Sequence, residues 1–181
     1  MCSSDSVKAS HLGSTTVSDR REWLGTLIRV ALGVIFIWAS WHKLADPYSN
    51  VQAVKAYELL PSPWFRIVGY TLPIVEVLIG ICLVTGVITR VTAVFAALSM
   101  AAFIFGIISV WVRDININCG CFGDGGYDPN AQDKYPWEIA RDSLFFLMAA
   151  YLVVWPRTRL AIDNLLFPRR DERILDGEEV H

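Results

Sequence analysis

An all-α fold, a four-helix transmembrane bundle with a short outer interfacial helix, follows from three features of this chain. Its residues are 54% hydrophobic, with seven tryptophans and only 19% charged, which is more apolar than an ordinary soluble domain of this size. Four apolar runs approach the length of about 20 residues that a bilayer crossing needs: Leu24 to Leu44, Val68 to Ile88, Val91 to Val112 and Trp137 to Trp155. The stretches between and around them are polar, charged, or rich in Gly and Pro.

Residues 1–22, "MCSSDSVKASHLGSTTVSDRRE", are Ser/Thr-rich without apolar periodicity and read as a flexible cytoplasmic tail. The first apolar run follows them and is too long for a signal-peptide core, so it is expected to remain as an anchor. Arg29, near its inner end, is expected to snorkel and to serve topology alone. After it, "PYSNVQAVKAYELLPSP" places Val51, Val54 and Leu59 at roughly helical spacing, a short helix on the outer surface closed by Pro61.

The second and third runs are separated only by Thr89 and Arg90, which predicts a tight antiparallel hairpin. Ala97 with Ala101, and Ala102 with Gly106, offer the four-residue small-residue spacing that lets membrane helices approach. Residues 113–136 show no period and are rich in Gly, Asn, Asp and Pro, an irregular solvent-facing loop. The fourth run ends the membrane domain, 23–156, and residues 157–181 form a charged cytoplasmic tail.

Positive charge orients the bundle. Lys8, Arg20, Arg21, Arg90, Arg157, Arg159, Arg169, Arg170 and Arg173 fall on one side. Lys43, Lys55, Arg66, Arg113 and Lys134 fall on the other, diluted by Asp114, Asp124, Asp128 and Asp133. Both termini are therefore assigned to the cytoplasm of a multi-pass plasma-membrane protein, with the third loop outside. Charge divided in this way forms no basic patch of the kind nucleic acid needs, and the lipid bilayer is the primary partner.

That outer loop holds "NINCGCFGDGG". Cys2 lies on the cytoplasmic side and Cys82 deep in the second run, so neither meets Cys119 or Cys121. Two thiols one residue apart in an oxidising compartment pair readily. Gly120 permits the positive φ that so sharp a bend demands. A strained disulfide exchanges more easily than a structural one, which favours a redox pair. Three other readings stand beside it. A staple gains little from so short a loop. A metal site would need His42 and carboxylates to complete its ligands, and no metal is assigned; a Cu(I) or zinc carrier using both thiolates is the variant of this reading. A nucleophile would have only His42 as base.

Charged residues within the runs are costly and mark function or helix pairing. Glu76, Arg141 and Asp142, with His42 and Lys43 closing the first run, all fall in the outer half of the bundle beneath the cysteines. A Glu76–Arg141 pair is expected, and Arg141 or Lys43 near a thiol would favour the thiolate. Trp38, Trp41 and Phe122 are candidates for lining a quinone slot, although tryptophans at this depth commonly act as interfacial anchors.

In order, "LIRVALGVIFIWASWHKLADP", "YELLP", "LPIVEVLIGICLVTG", "NCGCFG" and "RDSLFFLMAAYLV" resemble the MauE branch of the DoxX-like integral membrane proteins, over roughly residues 23–155. The "CGCFG" tag is the most specific of these. The resemblance implies a four-helix membrane protein linked to disulfide formation or maturation of exported proteins, sometimes alongside thioredoxin-like partners. Other DoxX relatives are tied to quinone-linked sulfur oxidation or oxidative-stress complexes. On this likeness Cys119 and Cys121 carry over as the redox pair, and Lys43, Glu76, Arg141 and Asp142 as the polar positions. A second outer cysteine pair and a thioredoxin-like domain are not seen in this chain, so a separate exported partner is expected to supply that step. The leading expectation is a thiol-disulfide oxidoreductase passing electrons from that partner to a membrane acceptor such as quinone. The alternative is a non-catalytic accessory or assembly subunit of a larger, respiratory-type membrane complex.

Overall fold

The computed structural model describes residues 5–120 and 125–155. They form five helices and one two-stranded ribbon: α1 Asp5–Ala45, α2 Pro47–Ala56, α3 Trp64–Thr85, α4 Thr89–Val112, β1 Ile117–Cys119, β2 Gly125–Tyr127 and α5 Ala131–Val154. Among the described residues three helical stretches are long and apolar enough to cross a membrane: Arg20–Ala45 in α1, all of α3 and all of α4. Long apolar side chains such as Leu27, Val34, Leu78, Phe95, Leu98 and Phe105 are exposed on them, an outer surface suited to lipid. The helix α5 is as long as α4 but carries Glu138, Arg141 and Asp142.

The helices pack as a closed set, α1 against α3 and α4 against α5 most extensively, with α3 also on α4 and α1 on α5. Leu32, Phe36, Ile79, Leu83, Ala93, Ala96, Met100, Ala149 and Leu152 make the core between them. Where α1 crosses α3, Gly33 and Gly80 face each other. A Cβ on Gly33 would lie 2.9 Å from the Gly80 carbonyl oxygen, and one on Gly80 would lie 2.9 Å from that of Gly33. Close backbone approach is thus made here, and of the small residues expected to pack on α4, Ala97 lies against the core. Ala101 and Ala102 are exposed, and Gly106 instead admits the Tyr57 ring, 3.0 Å from where a Cβ would stand.

Several boundaries differ from expectation for local reasons. Helix α1 already runs from Asp5, inside the segment read as a tail. Helix α2 starts at Pro47, with the Asp46 carboxylate accepting the Ser49 N–H at 3.1 Å. It ends at Ala56 rather than Pro61 and buries Asn50, Val51 and Ala53 on one face. Helix α3 stops at Thr85 because Gly86 adopts a left-handed φ of 72° and returns its N–H to the Cys82 carbonyl. The hairpin turn is therefore Gly86 to Ile88, and Thr89 already belongs to α4.

The third loop is the largest correction. It is not wholly irregular: β1 and β2 pair antiparallel, Ile117 with Tyr127, Asn118 with Gly126 and Cys119 with Gly125. Helix α5 then begins at Ala131, a turn and a half before Trp137.

Candidate functional site

The ribbon sits on the end of the bundle, where Ile117 and Cys119 join Ile107, Val110, Ala131 and Tyr135 in a second buried cluster. Two tyrosines tie it down. The Tyr57 hydroxyl, just past α2, donates to the Cys119 carbonyl at 2.7 Å. The Tyr135 hydroxyl lies 2.7 and 2.8 Å from the Ile115 and Ile117 carbonyl oxygens and accepts the Ile117 N–H at 3.1 Å. Directly after Cys119 the chain bends at Gly120, whose φ is 69°.

Below the ribbon, Tyr135, Glu138 and Asp142 recur three and four residues apart on α5, so all three point inward. The Cys119 thiol donates a hydrogen bond to the Glu138 carboxylate. Both residues are more than nine-tenths buried. Arg141 turns its Nε and Nη2 to Asp142 Oδ1, at 3.1 and 3.0 Å, and its charge also acts on Glu138.

Deeper still, Lys43 Nζ lies 2.8 and 2.9 Å from the two carboxylate oxygens of Glu76. Ser40 Oγ reaches the same carboxylate at 3.2 Å and the Phe36 carbonyl at 2.6 Å. The ammonium stands 4.8 Å from the centroid of the Phe103 ring. A cavity of about 20 Å³, lined by Glu76 and Asp142 together with Phe36, Met100, Phe103 and Phe145, is large enough for one water.

Residues 21–155, nearly the whole of this bundle and its ribbon, match the family model described as methylamine utilisation protein MauE. The chain belongs to the MauE family. It is 30% identical over 103 residues to the methylamine utilization protein MauE of Paracoccus denitrificans, covering 56% of this chain and 55% of that protein. The chain thus spans about half the length of the curated relative it matches. No solved structure matches it.

Within this MauE-family chain the expected site residues divide. Glu76 pairs with Lys43 rather than with Arg141, and Arg141 pairs with Asp142. Lys43 is accordingly committed to a carboxylate and not to a thiol. His42 does not join the polar cluster: it is exposed, its ring edge-on to Trp38 at 5.9 Å. Trp38 and Trp41 are exposed on α1 and line no part of the cavity. Cys121 and Phe122 lie outside the described residues. Arg29 does not snorkel; it is 1% exposed, on the face of α1 that buries Leu32 and Phe36. Among the described residues no group of three or more His, Cys, Asp or Glu side chains could hold a metal ion.

Tyr57, Tyr135 and Glu138 were not singled out in the sequence. The signal for the last two was present in their spacing: positions 135, 138 and 142 share one helical face with the expected Asp142.

Proposed function

We propose that this protein is a membrane thiol-disulfide redox protein in which Cys119 and Cys121 alternate between dithiol and disulfide. The observation that carries the reading is the Cys119 thiol bonded to a buried carboxylate, immediately before the Gly120 bend. An exported thioredoxin-like partner gives up two electrons and two protons and leaves as a disulfide. The Cys119–Cys121 bond breaks to receive them. A membrane quinone then takes two electrons and two protons from the dithiol, becomes quinol and restores the disulfide. Because Cys119 is enclosed, exchange with an outside sulfur runs through Cys121.

The same proposal assigns α5 as a fourth membrane crossing. Its charged residues Glu138 and Asp142 point inward while Leu144, Leu147 and Val154 are exposed, the pattern of a helix with a polar inside and a lipid-facing outside. The ribbon then faces the exterior of the plasma membrane and both termini face the cytoplasm. The name of the relative extends methylamine utilisation to this chain as part of the proposal, and a wider DoxX kinship rests on the helix patterns alone.

Redox titration of the purified protein, with mass-resolved thiol labelling of Cys119 and Cys121, tests the reading. Both thiols are expected to appear together within the physiological range of potentials. A pair locked in one state throughout that range overturns the relay.

A second reading is favoured by one observation. Cys119 is 7% exposed inside an apolar cluster, the environment of an inert structural cysteine. On that reading the protein is a non-catalytic subunit of a larger membrane complex, and the locked outcome supports it.

A further inference from the structure

We infer that exposed tryptophans on α1 and α5 fix the depth of this protein in a bilayer, with Trp41 and Trp137 in the headgroup layer on the ribbon side and Trp23 and Trp155 in the opposite one. The inference rests on α5 crossing the membrane, as proposed above. Tryptophan is on average a largely buried residue, yet all seven here are exposed, from 40% at Trp111 to 72% at Trp137. An indole held outward on a membrane helix is best placed where acyl chains meet headgroups. There the ring lies among hydrocarbon and its N–H reaches carbonyl oxygens and water.

Their spacing matches lipid. Eighteen residues separate Trp23 from Trp41 on α1, and eighteen separate Trp137 from Trp155 on α5. At about 1.5 Å per residue each interval is about 27 Å, close to the roughly 30 Å hydrocarbon core of a bilayer. The two intervals are also level, because Ile35 and Ala39 of α1 line the same cavity as Asp142 and Phe145 of α5. From that shared level Trp41 stands about 3 Å beyond Ala39, and Trp137 about 8 Å beyond Asp142. In the other direction Trp23 lies about 18 Å from Ile35, and Trp155 about 15 Å from Phe145. The ends of the two intervals thus coincide in depth to within about 5 Å.

A third helix meets the ribbon-side level. The Trp111 ring, from α4, has its centroid 6.5 Å from that of Tyr135, which stands two residues before Trp137. Protein interfaces also gather tryptophan, but as one central, enclosed cluster. Here exposed rings at one level come from α1, α4 and α5, and a second level recurs at the far ends of α1 and α5. A bilayer meets a helical bundle at two such depths. Arg20 and Arg21, both exposed, lie within one turn beyond Trp23, on the side where lipid phosphates lie. Because Tyr135 holds the Ile117 backbone, the ribbon is seated at the headgroup layer, and an exported partner meets it at the membrane surface.

The test reads tryptophan fluorescence of the full-length protein in phosphatidylcholine vesicles carrying nitroxide lipids, with the quencher either near the headgroup or at the chain end. The shallow label should quench more than the deep one. With the shallow label confined to the ribbon-side leaflet, Trp137→Phe should lower the quenched signal and Trp155→Phe should leave it unchanged; label in the opposite leaflet should reverse the two. Trp41→Phe and Trp23→Phe repeat the comparison on α1, and all four substitutions fall on exposed rings that the fold does not need. Lengthening the acyl chains well beyond the interval should raise quenching by the deep label, since the indoles then cannot reach both headgroup layers. Deep quenching that exceeds shallow quenching in matched vesicles overturns the inference. So does a lack of quenching by either label, the result expected if a protein partner covers the rings. Failure of the crossing itself reads differently: an impermeant thiol reagent, with labelled sites resolved by mass spectrometry, is expected to reach Tyr127→Cys and Val154→Cys from opposite sides of the membrane. Reaction of both from one side overturns the crossing, and the pairing of α1 with α5 falls with it.

Discussion

Lys43 on α1 and Glu76 on α3 form a closed ion pair, with both ammonium–carboxylate distances below 3 Å and both side chains at most 3% exposed. An ionised group at this depth persists only if matched, and here the match also has a hydroxyl and an aromatic face around it, from Ser40 and Phe103. The pair joins the two helices that also approach through Gly33 and Gly80. Its Glu76 lines the same small cavity as Asp142.

Removing one partner leaves the other charge buried and unmatched. Lys43→Met or Glu76→Leu alone should each destabilise the bundle by about 3–5 kcal/mol, while the double variant should recover most of that loss. Reversible unfolding in lipid-detergent micelles measures all three variants, and the expected sign of the coupling is a double variant more stable than either single.

The glycine crossing gives a second expectation. An added methyl at Gly80 meets the Gly33 carbonyl oxygen at 2.9 Å and the Ile37 side chain at 2.7 Å, so the helices must separate. Gly80→Ala should cost about 1–3 kcal/mol. Ala101→Leu, on the exposed face of α4, should stay within about 0.5 kcal/mol. The same unfolding assay compares them, and equal effects would refute the crossing.

Tyr135→Phe keeps the ring in the cluster with Ile107 and Val110 but removes the hydroxyl that serves the β1 backbone. Stranding the Ile117 N–H and one carbonyl should cost about 1–3 kcal/mol locally. Hydrogen exchange at the Ile117 and Cys119 amides should accelerate while exchange in α3 and α4 stays unchanged. Tyr57→Phe should act more weakly, since it removes only the bond to the Cys119 carbonyl.

The parts of this fold that follow from one-dimensional pattern were readable, and those set by contact across the bundle were not. Long apolar runs marked α1, α3 and α4, and Val51 marked the buried face of α2. The ribbon escaped because "INC" and "GGY" are too short to show alternation, and β1 is held by Tyr57 and Tyr135, which lie outside it. Depth alone does not separate Lys43 from Arg141 as the partner of Glu76. Helical phase does: positions 29, 32, 36, 40 and 43 share the buried face of α1, whereas Arg141 lies off the α5 face that carries 135, 138 and 142. The same phase buries Arg29, although a position near the helix end alone favours snorkelling.

Acid should loosen the ribbon's junction with α5. A hydrogen bond from Lys134, and then one from the Asn130 N–H, hold the Asp128 carboxyl below its usual range, and the same contact raises Lys134. A carboxyl lowered in the folded state stabilises above its unfolded value of about 3.9, and that contribution is lost as pH falls through the lowered folded value. The raised lysine contributes below its unfolded value of about 10.4 and is lost as pH climbs through the higher folded one. Protection of the Asn130 amide should therefore be flat across the neutral range and fall below about pH 4. Asp128→Asn should show the weaker protection already at neutral pH, and should match wild type once Asp128 is protonated. Because Lys134 is exposed, added salt should narrow the difference between the two proteins at neutral pH. Wild-type protection that holds unchanged to strongly acidic pH would show that the junction is maintained by the backbone bond from the Ala131 N–H to the Asp128 carbonyl alone.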